Sequence, residues 1–238
     1  MGYNILGVTP GHNGSIALVS NGKLVFYLEE ERLSKVKKDA NPLKTLYFSL
    51  QKYKIDEVVL CGAGRQSPNL VRKGEDLYYS ISRKFYPKVK FTSYEDHHHL
   101  THAASSFYTS GFKKSLGVVI DAQGSNFNYK GEKIFENDSL FYCEYPNNIN
   151  PIHKIYLSDS ISHSTKQEKI TPFFSTAKVY EAVSEYLNFH EEEGKTMGLS
   201  SYGKSNSFIL DFLKDGIINP KYYTHEKNLW FYIPKNEA

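Results

Sequence analysis

The sequence predicts an α/β protein made of one whole lobe and the beginning of a second, and three observations carry that prediction. Strand-like and helix-like segments follow one another in the order βββαβαβα through the first half of the chain, an alternation that places helices against a partly parallel sheet. The strand and glycine-turn pattern of the opening residues then starts again after Lys114. A length of 238 residues, 40% apolar and 15% aromatic, is enough for one large domain or two small lobes.

Taken in order, Tyr3 to Val8 and Ser15 to Ser20 read as strands joined through Thr9-Pro10-Gly11, and Asn21-Gly22 is the favoured two-residue hairpin dipeptide leading to a third strand, Lys23 to Glu30. Asn41-Pro42 has the residue types of an N-cap and first helical position, and opens a helix to about Tyr53 with the stripe Leu43, Leu46, Tyr47 and Leu50. Asp56 to Cys61 is a buried strand, Asn69 to Phe85 a helix, Val89 to Ser93 a strand and Asp96 to Tyr108 a helix. These segments make up a first lobe at residues 1–113. Residues 114–238 hold a partial second lobe. It opens on a buried strand, Leu116 to Ile120, ending in Asp121, with the run after Gly124 to Tyr129 as its hairpin partner. Ser139 to Tyr145 is a further strand, Pro146 to Lys169 a long polar loop, and Thr176 to Asn188 a helix with the stripe Val179, Tyr180, Val183 and Leu187. Phe208 to Leu213 reads as a short helix and Tyr222 to Tyr232 as a strand pair.

Composition narrows the function. A formal net charge of +3 with both signs mixed along the chain gives no basic stripe, which disfavours polymeric nucleic acid as a partner. The two cysteines, Cys61 and Cys143, each lie in an apolar or aromatic run and read as buried reduced thiols of a reducing compartment, so a cytoplasmic location is expected. The amino terminus lacks a signal-peptide pattern, and no apolar run approaches the roughly 18 residues of a membrane span.

Four segments carry chemistry. In His98-His99-Leu100-Thr101-His102, His98 and His102 are four apart on a predicted helix and so share one face, where two imidazoles can converge on one ion. Asp121, at the end of the next predicted strand, offers an oxygen where open α/β sheets present ligands. Two imidazoles and a carboxylate suit iron, zinc or manganese alike. Gly11-His12-Asn13-Gly14-Ser15 places a histidine in a turn of small residues, where backbone N–H groups can approach a phosphate and the imidazole can serve as acid or base. In Glu29-Glu30-Glu31-Arg32 the carboxylates anchor the arginine, with Lys35 and Lys37 following and Lys37 within reach of a nucleotide. Glu193-Gly194-Lys195-Thr196-Met197-Gly198-Leu199 reads as a glycine-punctuated loop with one cation, without Walker or GxGxxG spacing.

In order and spacing, these segments resemble the amino-terminal domain of the O-carbamoyltransferases, enzymes that modify hydroxyls on antibiotics and nodulation factors. The resemblance runs from about residue 4 to 204 and rests on five blocks: residues 12–19 (His-Asn-Gly-Ser-Ile-Ala-Leu-Val), 29–37, 98–103, Val119-Ile120-Asp121, and 193–199. It implies duplicated lobes of the RNase H-like kind found in actin, heat-shock ATPases and sugar kinases, here with the second lobe incomplete. It further implies a metal, iron in this family, held by His98, His102 and Asp121. By the same resemblance, ATP and carbamoyl phosphate are turned into carbamoyladenylate by a YrdC-like domain, and the domain seen here passes the carbamoyl group to an alcohol. His12 would then take the hydroxyl proton, Lys37 and Asp121 would contact the nucleotide, and the loop bearing Glu193 and Lys195 would close over it.

Asp121-Ala122-Gln123-Gly124 stands where the family has Asp-Gly-x-Gly, which removes the backbone freedom of the second position. The family domain also extends further, with another carboxylate ligand and then the YrdC-like domain, so a partner polypeptide bearing these parts is expected, this chain being a fragment or one half of a split enzyme. Two alternatives stand beside this reading. A tRNA threonylcarbamoyl transferase shares fold and metal geometry but has His-x-Glu-Gly-His in place of the Leu100-Thr101 pattern, and a regulatory module could bind nucleotide without catalysis.

Overall fold

The computed structural model describes residues 2–11, 13–62, 71–72, 75–158, 160–171, 176–189, 192–204, 213–214, 217–218, 223–226 and 231–234. Contacts between Cα atoms divide the chain into two units, Met1–His102 and Ala103–Ala238.

In the first unit, β1 (Asn4–Thr9), β2 (Ser15–Ser20) and β3 (Lys23–Glu29) form an antiparallel meander. Asn21 and Gly22 turn β2 into β3 with φ of 49° and 75°, the left-handed pair that the Asn-Gly dipeptide favours. A four-residue helix α1 (Glu31–Ser34) and then α2 (Leu43–Lys52) lead to β4 (Glu57–Leu60), which lies parallel to β1. Two short strands, β5 (Val71–Arg72) and β6 (Glu75–Asp76), and the helix α3 (Leu77–Phe85) precede β7 (Lys90–Ser93), parallel to β4. The sheet order β3-β2-β1-β4-β7, three antiparallel strands followed by two parallel crossovers, is the order expected of an RNase H-like lobe. Alternate residues of its strands, Leu6 and Val8, Ile16 and Leu18, Val58 and Leu60, bury against Leu46 and Leu50 of α2 and Tyr78 of α3. Each such aliphatic side chain contributes roughly 1.5–3 kcal/mol.

Several expectations need correction here. The helix read over Asn69 to Phe85 begins only at Leu77, because the Asp76 carboxylate accepts the N–H of Tyr79 and caps α3 there. Tyr47 is not part of the buried stripe of α2; it is 44% exposed. Asn41 does not cap that helix, and Pro42 holds the N-cap position without a side-chain bond. The cap comes from Glu30, a residue 2% exposed whose Oε1 accepts the N–H of Lys44 at 3.0 Å and whose Oε2 accepts the N–H and hydroxyl of Thr45, each at 2.9 Å. These are amides that a helix start leaves without intrahelical partners, and a carboxylate suits them electrostatically. Glu30→Ala is therefore expected to lower stability by about 2–3 kcal/mol in urea unfolding, with Glu30→Gln recovering part of the loss.

Helix α4 (His98–Ser110) runs across the division between the units and leads into β8 (Lys114–Ile120). In the second unit β9 (Asn126–Tyr129) pairs with β10 (Glu132–Glu144), which itself pairs with β8 and with β11 (Asn148–Leu157), all antiparallel. β12 (His163–Ser164) and β13 (Glu168–Thr171) complete a sheet of order β12-β13-β11-β10-β8, and β13 is parallel to β11. The meander β8-β10-β11 repeats that of the first lobe, but the parallel strand joins its far edge, beside β11 instead of β8. Helices α5 (Thr176–Tyr186) and α6 (Glu193–Ser200) follow, then two hairpins, β14 (Leu213–Lys214) with β15 (Ile217–Ile218) and β16 (Tyr223–Glu226) with β17 (Phe231–Pro234). The last is the strand pair read from Tyr222 to Tyr232, whereas the helix read over Phe208 to Leu213 falls almost wholly outside the described residues.

Three readings of this unit are overturned. The partner of β8 is β10, not the run to Tyr129. The polar stretch Pro146 to Lys169 is mostly strand, because the β10 ladder supplies its backbone bonds whatever its side chains. And β8 is not a buried strand: Val119 is 8% exposed, but Leu116, Val118 and Ile120 on the other face are 59%, 56% and 58% exposed. On the covered face Gly117 has a packing role, since a Cβ there would sit 3.1 Å from Cys143 Sγ and 3.7 Å from Ala103 Cβ of α4.

Candidate metal centre

β7 hands the chain to α4 through a turn at its carboxyl end, where the Tyr94 N–H donates to Leu60 O and the His97 N–H to Tyr94 O. Along α4 the fully buried positions are His99, Ala103 and Phe107, spaced by four. His98 and His102 occupy the neighbouring face at the border of that stripe, half-buried and exposed in turn. Their Nε2 atoms lie 3.0 Å apart with the rings nearly perpendicular, at 88°.

β8 ends at Ile120, and Asp121 is the first residue after it. The ligand atoms of His98, His102 and Asp121 all lie within 4.8 Å of one another, a cluster supplied by α4 and the strand directly after it. The donor set fits a divalent ion. Two nitrogens each about 2.1 Å from one ion and at right angles are about 3.0 Å apart, as the two Nε2 atoms are. The same separation is a hydrogen bond when one ring nitrogen carries the hydrogen, so in the absence of an ion the two imidazoles partner each other.

The remaining sites read from the sequence are placed differently. His12 lies outside the described residues, but its turn is described on both sides. Gly11 donates its N–H to Ala40 O at 3.0 Å and Gly14 donates to Asp39 O at 2.8 Å, so these amides serve the chain's own backbone instead of a phosphate. A Cβ on Gly14 would fall 2.8 Å from Asp39 O and from the carbonyl carbon of Ala40, which is why glycine is needed there. Through these bonds Gly11 and Gly14 are held beside Ala40 and Asp39. Lys37 is an exposed residue of a tight turn that is fixed by the Lys38 N–H on Glu31 Oε2 at 3.1 Å. Arg32 bridges Glu29 and Glu31 at 3.7 and 3.6 Å, while Glu30 turns inward to cap α2.

The glycine-punctuated loop at residues 193–199 is instead the helix α6, its Thr196 hydroxyl bonded to Ser184 of α5 at 2.7 Å. Glu193 accepts the Tyr180 hydroxyl on its carbonyl, and Lys195 is paired with Glu192. Cys61 and Cys143 are free thiols; Cys143 is buried, and desolvation pushes the half-buried Cys61 up to about 11. A cavity of about 390 Å³ lined by Lys54, Ile55, Phe85 and Tyr86 lies where β4 and β7 begin, the end of the sheet opposite to the one that carries ligands in open α/β folds.

Sequence reading missed the residues beneath Asp121. Asn137 and Glu136 of β10, each 0% exposed, hold its turn by backbone and side-chain bonds. The run Glu136-Asn137-Asp138 between apolar stretches of one strand is the signal that would have found them.

The chain matches the family model described as carbamoyltransferase N-terminus over residues 70–236, about seven-tenths of its length. It belongs to the carbamoyltransferase N-terminus family. Among its relatives, uncharacterized protein MJ1051 of Methanocaldococcus jannaschii is 29% identical over 217 residues, 89% of this chain and 36% of that protein. Uncharacterized protein MJ1058 of the same organism is 32% identical over 123 residues, 50% of this chain and 18% of the relative. This carbamoyltransferase-family chain thus spans about a third of the length of the first relative and under a fifth of the second. A solved structure of a ROK family protein from Streptococcus pneumoniae, in complex with sucrose, aligns with a TM-score of 0.39 at 11% identity, covering 84% of this chain and 68% of that one. Among the described residues no helix is long and apolar enough to cross a membrane.

Proposed function

We propose that this chain is the acceptor-side part of an O-carbamoyltransferase, moving a carbamoyl group from carbamoyladenylate to the hydroxyl of a small molecule or modified nucleotide. The observation that carries the reading is the convergence of His98, His102 and Asp121. These residues would hold a divalent ion, iron by family resemblance, which when bound supplies Lewis-acid polarisation of the carbamoyl carbonyl and a counter-charge for the nucleotide. His12 takes the proton of the acceptor hydroxyl as its oxygen bonds to the carbamoyl carbon. The bond from that carbon to the phosphate oxygen breaks, and the electron pair leaves with adenylate, whose charge Lys37 offsets. Glu193 and Lys195 contribute from a helix, so they act as fixed contacts to nucleotide and not as a closing loop.

The reading includes a second polypeptide, or a further part of the same one, that carries the remainder of the lobe and the YrdC-like activity which makes carbamoyladenylate from ATP and carbamoyl phosphate. The apolar face of β8 supports this, because Leu116, Val118 and Ile120 side by side on one strand favour burial against another chain segment. The test is reconstitution: the purified chain, a YrdC-like protein, ATP, carbamoyl phosphate and a panel of hydroxyl acceptors, with products read by mass spectrometry. Carbamoylated acceptor is expected only with both proteins present. Turnover by this chain alone, or product found only on tRNA as threonylcarbamoyladenosine, would reject the proposal.

A further inference from the structure

The turn that begins at Asp121 is held from beneath by two consecutive residues of β10. The β10–β11 register shifts between Glu136 and Asp138, which leaves Asn137 as the extra residue of a β-bulge. Pairing with β8 runs out at the same point, Asp138 opposite Ile120, so Asn137 meets Asp121 where the ladder stops. Its carbonyl accepts the Asp121 N–H at 3.1 Å, and its Nδ2 donates to Asp121 O at 2.9 Å and Ala122 O at 3.4 Å. Glu136 closes the far side: its carbonyl accepts the Gly124 N–H at 2.8 Å, its Oε2 accepts the Ser125 N–H at 3.2 Å, and Oε1 pairs with Lys154.

Asn137 is 0% exposed, and its Oδ1 meets no donor among the described residues. A buried acceptor left in that condition weighs against folding, and an aliphatic residue would fill the same space without it. What the amide provides that an aliphatic residue lacks is the pair of bonds to the Asp121 and Ala122 carbonyls.

We infer that Asn137 is a positioning residue for Asp121, setting the direction in which the carboxylate meets His98 and His102; the inference rests on the metal reading proposed above. Residues behind a metal ligand commonly change metal affinity by about 10–100-fold when removed. The experiment is a calorimetric titration of the full chain with Zn²⁺ at fixed pH. Asn137→Ala is expected to bind about 10–100-fold more weakly than wild type. Placed on an Asp121→Ala background, the same change is expected to cause no further loss, because it acts through that carboxylate. The near-isosteric Asn137→Leu provides the same comparison if the alanine variant folds poorly. Asn128→Ala, which removes only a cap on the Gly131 N–H in the β9–β10 hairpin, is the control and should bind like wild type. Equal losses from Asn137→Ala on both backgrounds, or no loss when Asp121→Ala does weaken binding, would overturn the inference and leave the metal site standing. Wild-type affinity in Asp121→Ala would overturn both.

Discussion

His98→Ala and His102→Ala proteins are expected to lose nearly all bound divalent metal, with affinity at least about 100-fold below wild type, above what removal of a supporting residue usually does. Each substitution takes one of two imidazoles whose Nε2 atoms are 3.0 Å apart, and a single imidazole with one carboxylate does not enclose an ion. Metal content after purification, measured by plasma mass spectrometry, checks this. The histidine between them gives the contrast. His99 is 0% exposed on the buried stripe with Ala103 and Phe107, so His99→Ala is expected to lower the melting temperature, not the metal content of the folded fraction. Equal metal content in wild type and both variants would remove the site.

His12→Ala is expected to slow carbamoyl transfer by about 10²–10⁴ in single turnovers that start from preformed carbamoyladenylate, the usual contribution of a positioned acid or base. Starting from the adenylate isolates transfer from its synthesis, which belongs to the partner activity. Imidazole titrates near ~6.5 in water, so the wild-type rate should rise with pH through that region and the variant should lack the rise. Gly11 and Gly14, on either side of His12 in sequence, are bonded to Ala40 and Asp39, in the segment that follows Lys37. Transfer by His12→Ala at the wild-type rate would remove the general-base role.

Short-range chemistry was legible in the residues themselves. Alternation and the Asn21-Gly22 turn placed the first three strands to within a residue or two, since a hairpin is decided by neighbours along the chain. The spacing of four between His98 and His102 put both imidazoles on one face of α4 for the same reason: helical geometry is local. Asp121 was legible as a strand end. What local rules could not supply was which strand lies beside which. β8 was read as buried because its residues are apolar, but burial depends on what packs against each face, and α4 covers only the one that carries Gly117. Pro146 to Lys169 was read as loop because it is polar, yet its backbone found a ladder in β10. The helix at Glu193 was hidden by its two glycines, whose cost is offset where its buried Thr196 bonds to Ser184 of α5.

By itself, then, the sequence determined the α/β order, the histidine pair with Asp121 at a strand end, and the family, each through patterns only a few residues long. Tertiary structure alone decided that Glu30 caps a helix fifteen positions away, that Asn137 and Glu136 grip the Asp121 turn, and that Leu116, Val118 and Ile120 face outward. Those are contacts between residues distant in sequence. Their free energy depends on desolvation and hydrogen-bond geometry, which exist only once the strands have paired and the helices have closed over one face of each sheet.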